Sequence, residues 1–186
     1  MDWGAFSLAE SENSDGALRR WTLGASFTRG LNDADQFVNL AGSRGALTTR
    51  AEQNAETLEA FGEAEIGVTP ALSAVIGAQA VRTERTLDRI APTPLQASRD
   101  FEAFNPKLGF LYRAGEMLTW YGNVSRSFEP PTFSEWVQSG VIQPVSAQSA
   151  WTGEIGARGH AGAVAFDVAL YRAHVKDEML QYSVDS

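Results

Sequence analysis

Residues 105–136 read NPKLGFLYRAGEMLTWYGNVSRSFEPPTFSEW, and two alternating runs stand back to back within them. In the first, Leu108, Phe110 and Tyr112 fall on one face, with Lys107, Gly109, Leu111 and Arg113 on the other. In the second, Leu118, Trp120, Gly122 and Val124 oppose Thr119, Tyr121, Asn123 and Ser125. Successive side chains of a strand point to opposite faces, so each run is a ribbon with one apolar and one largely polar side. The connection at 114–116 is short enough to make the pair a hairpin.

The same unit recurs on both sides of this stretch. Residues 18–29 set Trp21, Leu23, Ala25 and Phe27 against Thr22, Gly24, Ser26 and Thr28. Residues 57–69 set Leu58, Ala60, Gly62, Ala64, Ile66 and Val68 against Glu59, Phe61, Glu63, Glu65 and Gly67. Residues 72–86 return, with Ala74, Ile76, Ala78 and Ala80 opposite Ser73, Gly77, Gln79 and Thr83. Downstream, 150–160 place Trp151, Gly153, Ile155 and Ala157 against Thr152, Glu154 and Arg158, and 164–176 place Val164, Phe166, Val168 and Leu170 against Asp167 and Tyr171. Residues 2–9 are a weaker strand candidate. Long polar loops are expected at about 30–56, 87–100 and 128–149, with Pro92 and Pro94 arguing against a strand in the second. Short and long connections therefore alternate, the rhythm of an up-and-down membrane barrel with tight turns on one rim and long loops on the other. A soluble sandwich mixes loop lengths and uses Greek-key crossings.

Composition narrows the classes further. The 186 residues are 44% hydrophobic, so a full core is affordable, but the mean hydropathy of -0.20 excludes a helical membrane protein. No run approaches the ~18 apolar residues of a spanning helix. A barrel escapes that test, because its segments of about ten residues are apolar only at alternate positions. The absence of cysteine removes disulfides, thiolate metal sites and cysteine nucleophiles. A net charge of -8 argues against a nucleic-acid partner. The opening MDWGAFSLAE carries neither a cationic nor an apolar signal region, so no export address is expected within this chain.

If the apolar parity meets lipid, the lumen-facing polar set is Glu59, Glu63, Glu65, Gln79, Tyr121, Asn123, Glu154, Asp167 and Tyr171. Segregation of this kind is what a penalty of about 2–4 kcal/mol for a midplane Arg or Lys on the lipid face would produce. Trp21, Tyr112, Trp120 and Phe166 carry the apolar parity near the short turns, and Phe27, Phe104 and Trp151 carry it near the long loops. They are expected to form two interface girdles. On four strands the apolar parity ends in an arginine: Arg29, Arg82, Arg126 and Arg172. Eight to ten residues of tilted strand climb about 20–25 Å, so these four are expected to form a cationic ring at the outer lipid boundary, facing lipopolysaccharide phosphates. Coincidence of parity would produce the same four matches about one time in sixteen.

Glu59, Glu63 and Glu65 also admit a reading as acid–base carboxylates, but their spacing by two on one strand suits a hydrated lumen better. His160 and His174 lack partners at metal-ligand spacing, and GARGHAG at 156–162 is no phosphate loop. No catalytic residue, metal site or cofactor is expected.

YGNVSRSFEPPTFSEW at 121–136 resembles the barrel signature of TonB-dependent outer-membrane receptors. NPKLGFLYR resembles the strand before it, and GEIGARG at 153–159 and LYRAHVKDEM at 170–179 the hairpin after it. The resemblance covers about 101–182 and singles out Ser125, Arg126, Ser127, Phe128, Glu129, Pro130, Pro131, Thr132, Phe133 and Glu135 as the base of an outer loop. These residues either guard a ligand vestibule or simply fix the chain's exit from the strand, and the architectural role is preferred. The resemblance implies a barrel of about 22 strands filled by an N-terminal plug. It also implies uptake of a scarce ligand such as a ferric siderophore, cobalamin, haem or another cofactor, with a ferric siderophore or similar chelate preferred, energised by an inner-membrane protein acting through an N-terminal box.

The expected fold is therefore all-β: an antiparallel, up-and-down transmembrane β-barrel segment of about eight strands. Residues 1–186 would be a partial barrel domain, with plug and coupling box lying outside this sequence, in a bacterial outer membrane. A passive porin and a soluble all-β binding module are the alternatives. The porin would lack plug and coupling box; the soluble module would cover its Leu108/Phe110 face with a second sheet.

Overall fold

The computed structural model describes residues 2–12, 17–138 and 141–178. Its elements in chain order are β1 (Asp2–Glu12), β2 (Leu18–Leu40), β3 (Ser43–Gly67), β4 (Leu72–Ala91), β5 (Leu95–Arg113) and β6 (Leu118–Glu129). Then come α1 (Phe133–Trp136), β7 (Val137–Gln138), β8 (Val141–Ile142), β9 (Gln148–Ala161) and β10 (Val164–Lys176). Eight strands form one sheet in the order β1-β2-β3-β4-β5-β6-β9-β10, while β7 and β8 pair separately. Each strand thus lies beside its predecessor in that sheet, the up-and-down order expected from sequence.

Register explains why the alternation was so regular. β5 pairs antiparallel with β6 (Leu108↔Val124, Phe110↔Gly122, Tyr112↔Trp120). β6 pairs with β9 (Trp120↔Ala157, Gly122↔Ile155), and β9 with β10 (Ile155↔Leu170, Ala157↔Val168). Directly opposed residues share a face, so the apolar sets of four strands merge into one surface.

The strands are longer than the sequence pattern indicated. The loop expected over 30–56 is instead the arms of β2 and β3, joined by a turn at Ala41 and Gly42. The loop expected over 87–100 shrinks likewise to Pro92–Pro94 between β4 and β5. An antiparallel hairpin wet on both faces has no apolar side to display, so it leaves no period-2 signal. Proline is confined to the turn, as its missing donor requires. Only the third expected loop, between β6 and β9, is a true connection, and it holds α1, β7 and β8.

The chain divides into two compact units, residues 1–7, 25–59 and 81–102, and residues 8–24, 60–80 and 103–186. In the first, Ala41 and Gly42 both take positive φ (50° and 90°), the backbone of a tight hairpin turn, and Gly42 N–H donates to Asn39 Oδ1 at 2.8 Å. Arg50 grips Asp35 through two hydrogen bonds of 2.9 Å, and Arg44 stacks 3.5 Å above the Phe37 ring. Thr57 and Thr83 share a hydrogen bond of 2.8 Å, and Thr83 is buried with Ala51, Leu87 and Phe101.

In the second unit burial is inverted relative to a water-soluble core. Ser73 is 0% exposed and Glu65 and Asn105 are buried, whereas Leu108 is 61% and Val168 63% exposed, and Leu23, Ile76, Val124 and Ile155 are exposed too. Water-soluble domains hide their large aliphatic residues and rarely bury a carboxylate without pairing it. Among the described residues nothing covers Leu108 and Phe110: both are exposed. No helix among the described residues is long and apolar enough to cross a membrane, a test that strands escape.

Candidate functional site

The polar face of the second unit is knit by charge pairs between strands. At its short-turn end, Arg113 on β5 donates to Glu65 Oε1 on β3 at 3.2 Å and to Ser73 Oγ on β4 at 3.5 Å. From β2, Arg19 donates to the same Ser73 Oγ at 3.0 Å and to the carbonyl of Thr69 at 2.7 Å, while Arg20 lies 4.0 Å from Glu65 Oε2. Arg19 has the apolar parity of β2, and its long side chain reaches the cluster from the strand's end, beside the turn whose Thr69 and Pro70 carbonyls it also meets. Two guanidiniums, Arg113 and Arg20, thus face the Glu65 carboxylate, and Arg19 joins the cluster through Ser73.

Further along the face, Lys107 Nζ donates to Glu63 Oε2 at 2.7 Å and Asn105 donates to Gln79 Oε1 at 2.9 Å. Asn105 Oδ1 is buried and accepts no hydrogen bond. On β6, the Tyr121 hydroxyl crosses β9 to donate to Asp167 on β10 at 2.8 Å. Gly156, the register partner of Tyr121, makes room for that crossing. A Cβ there would lie 2.4 Å from the Tyr121 ring and 2.7 Å from the Val168 carbonyl. Arg158 stacks 5.8 Å from the same ring. Asn123, Glu154 and Tyr171 are register partners in a row across β6, β9 and β10.

Of the expected polar set in this unit, the structure gives Glu63, Glu65, Gln79, Tyr121 and Asp167 specific partners. Glu59 lies in the other unit on β3. Sequence reading overlooked Arg19, Arg20, Ser73, Asn105 and Lys107 as members. Arg20, Ser73, Asn105 and Lys107 carried the polar parity and could have been included; Arg19 could not, since β2's alternation puts it with Trp21 on the apolar face.

The signature residues fall into two parts. Ser125, Arg126, Ser127, Phe128 and Glu129 are strand, paired with Thr152, Trp151, Ala150, Ser149 and Gln148 of β9. Pro130 and Pro131 end the strand, and Thr132 then caps α1. Its Oγ1 accepts from Glu135 N–H at 3.4 Å and Glu135 Oε2 accepts from Thr132 N–H at 2.7 Å, a reciprocal capping box. Phe133 and Trp136 pack with ring centroids 6.2 Å apart, and Trp136 is buried. The Trp136 carbonyl accepts from Gln143 N–H at 2.8 Å, tying the helix to the segment after β8.

The four arginines of the expected ring have unlike surroundings. Arg29 pairs with Glu56 at 3.2 Å, and Arg82 with Asp100 at 3.5 Å and Glu102 at 3.7 Å, so in the first unit the positive charges are matched by carboxylates. Arg126 donates instead to the Phe104 carbonyl at 2.8 Å, and Arg172 is exposed on β10. Among the girdle aromatics, Tyr112, Trp120, Trp151 and Phe166 are exposed and Trp21 is half-buried. No cluster of three or more His, Asp or Glu able to hold a metal occurs among the described residues.

Residues 3–186 match the family described as TonB dependent receptor-like, beta-barrel. Among solved structures, the chain resembles the ferric yersiniabactin uptake receptor FyuA from Yersinia pestis. The TM-score is 0.70 at 16% identity, over 97% of this chain and 30% of that one. It also resembles the pyoverdine outer membrane receptor FpvA from Pseudomonas aeruginosa PAO1 (TM-score 0.64, 18% identity, 94% and 27% covered). A third is the ferric-catecholate import receptor Fiu from E. coli K12 (0.63, 19%, 85% and 28%). The chain therefore spans under a third of these receptors' length, and at such identities the likeness is one of fold. No curated protein sequence matches it significantly.

Proposed function

The chain belongs to the TonB-dependent receptor β-barrel family, and from that membership we propose that it forms eight strands of a plugged outer-membrane barrel of about 22 strands importing an iron chelate. The observation that carries the reading is the inverted burial of the second unit, Glu65, Ser73 and Asn105 covered while Leu108, Val124 and Val168 are open. Lipid around the open face makes that a low-energy arrangement, which supports the reading. The polar face then lines the lumen, where the Arg19/Arg20/Arg113 cluster and the Lys107–Glu63 pair meet a plug supplied from outside these residues. Iron chelates are favoured as cargo because the resembling structures are named for yersiniabactin, catecholates and pyoverdine. Energy comes from an inner-membrane protein that engages a segment also outside this chain, and the barrel itself performs no catalysis.

On the lipid side, lipopolysaccharide is the expected neighbour of Arg126 and Arg172. Arg29 and Arg82 contribute less, since carboxylates already match them. The test is uptake of iron-55 chelates by cells carrying or lacking the full-length gene under iron limitation. Uptake that depends on the gene and stops when an ionophore collapses the inner-membrane gradient supports the reading. Gene-dependent flux that survives the ionophore identifies a passive channel instead.

A further inference from the structure

The apolar face of the second unit is not evenly filled. Trp21 on β2, Phe104 and Leu108 on β5 and Trp151 on β9 stand tall, while Gly62 on β3 and Ala78 on β4 leave space between them. The result is a groove of about 780 Å³ with an almost wholly apolar lining. That volume falls within the ~300–1,000 Å³ of sites that hold small ligands.

One end of the groove carries a charge. Arg126 is the register partner of Trp151, and its Nη1 is held by the Phe104 carbonyl at 2.8 Å, so the guanidinium is fixed beside two lining residues. A guanidinium has five donors, and this bond uses one. No carboxylate forms an ion pair with Arg126 among the described residues, in contrast to Arg29 and Arg82. An apolar trough ending in an uncompensated guanidinium matches a molecule with a hydrocarbon tail and an anionic head. A phosphate fits it, because two parallel N–H···O bonds match the fork.

We propose that this groove binds one acyl chain of a lipid A molecule, the phosphorylated glycolipid of the outer leaflet, with Arg126 holding a head-group phosphate. The leaflet follows from the fold: Arg126 lies just before the long connection at 130–147, and long loops of outer-membrane barrels face outward. The inference rests on the outer-membrane placement proposed above. It adds a built site, with a seated tail and a named anchor, to what is otherwise undifferentiated contact with the bilayer.

The full-length receptor, extracted in mild detergent, is weighed by native mass spectrometry with its co-purified lipid, and folding of each variant is checked by heat-modifiable electrophoretic mobility. The wild type is expected to retain lipid A. Arg126→Gln and Ala78→Phe are each expected to lower the retained fraction about tenfold, the scale of one lost charge-assisted contact. Val168→Phe, on β10 away from the groove, leaves it unchanged. If Ala78→Phe does not fold, Ala64→Leu fills the same groove from β3. Equal retention in wild type, Arg126→Gln and the filled variant overturns the proposal, as does retention of phospholipid in place of lipid A. A receptor that fractionates to the outer membrane but holds no lipid A sinks the groove alone; one that fractionates elsewhere sinks the uptake reading as well.

Discussion

Arg113 reaches Glu65 from two strands away: its Nη2 donates to Oε1 at 3.2 Å while Ser73, on the strand between, accepts from the same guanidinium. Glu65 has only 8% of its side chain exposed, so its charge depends on these partners. Arg113→Ala leaves Arg20 at 4.0 Å as the remaining cation. We expect a loss of about 1–3 kcal/mol in the unfolding free energy of the full receptor in detergent. Glu65→Gln in the Arg113→Ala background should recover part of it, and a double-mutant cycle showing no coupling would refute the pair's role.

Gly156→Val puts a branched side chain beneath the Tyr121 ring and against the Val168 carbonyl, and backbone cannot swing aside as a side chain can. Overpacking of this kind costs about 1–3 kcal/mol. The Tyr121–Asp167 bond should break with it, so Tyr121→Phe in the Gly156→Val background should add almost nothing to the loss. An additive result in thermal unfolding counts against this geometry.

Val168→Arg separates lipid from water as the medium of the exposed face. In a bilayer the substitution costs about 2–4 kcal/mol near the midplane. At a water-exposed site it would fall within about 0.5 kcal/mol of zero. Refolding into lipid vesicles with a denaturant titration reads the difference directly.

Thr132→Ala removes one half of the capping box and the acceptor for Glu135 N–H. A lost cap costs roughly 1 kcal/mol. The effect should be local: faster amide exchange over 133–138, with strand β6 unaffected.

In the first unit Asp35 is held below the ordinary carboxylate range, chiefly by the hydrogen bond from Arg50. A depressed folded value means that the pair's contribution is present above the ordinary Asp value of about 3.9 and fades only as pH falls through the lower, folded one. Amide protection of the β2/β3 arm around 33–37 should therefore be unchanged between pH 7 and pH 5 after correction for intrinsic exchange. Arg50→Gln should lower that protection across pH 5–7 and abolish the loosening that the wild type shows at lower pH.

Legibility in the sequence tracked the medium on each face. Where one side is apolar and the other polar, as at 107–113 and 164–176, parity marked the strand: β10 runs from Val164 to Lys176 as read, and β5 ends at Arg113 though it begins further upstream, at Leu95. Where both faces are polar, as at 30–56, the same backbone left no trace and read as loop. α1 was missed although Thr132 and Glu135 spell a capping box, because a helix of four residues shows no periodicity. Arg19 escaped for another reason: it carries the apolar parity, and only the length of its side chain at the strand's end brings it to Ser73 and the Thr69 carbonyl.

The covered set of Ser73, Glu65 and Asn105 carries a calorimetric consequence. Ordinary melting releases hydrocarbon into water and raises the heat capacity, whereas newly hydrated polar groups lower it. A wall whose grease stays in the micelle before and after melting should give an unusually small heat-capacity step. Its stability curve against temperature should accordingly be broad and flat, with cooling doing little to loosen it.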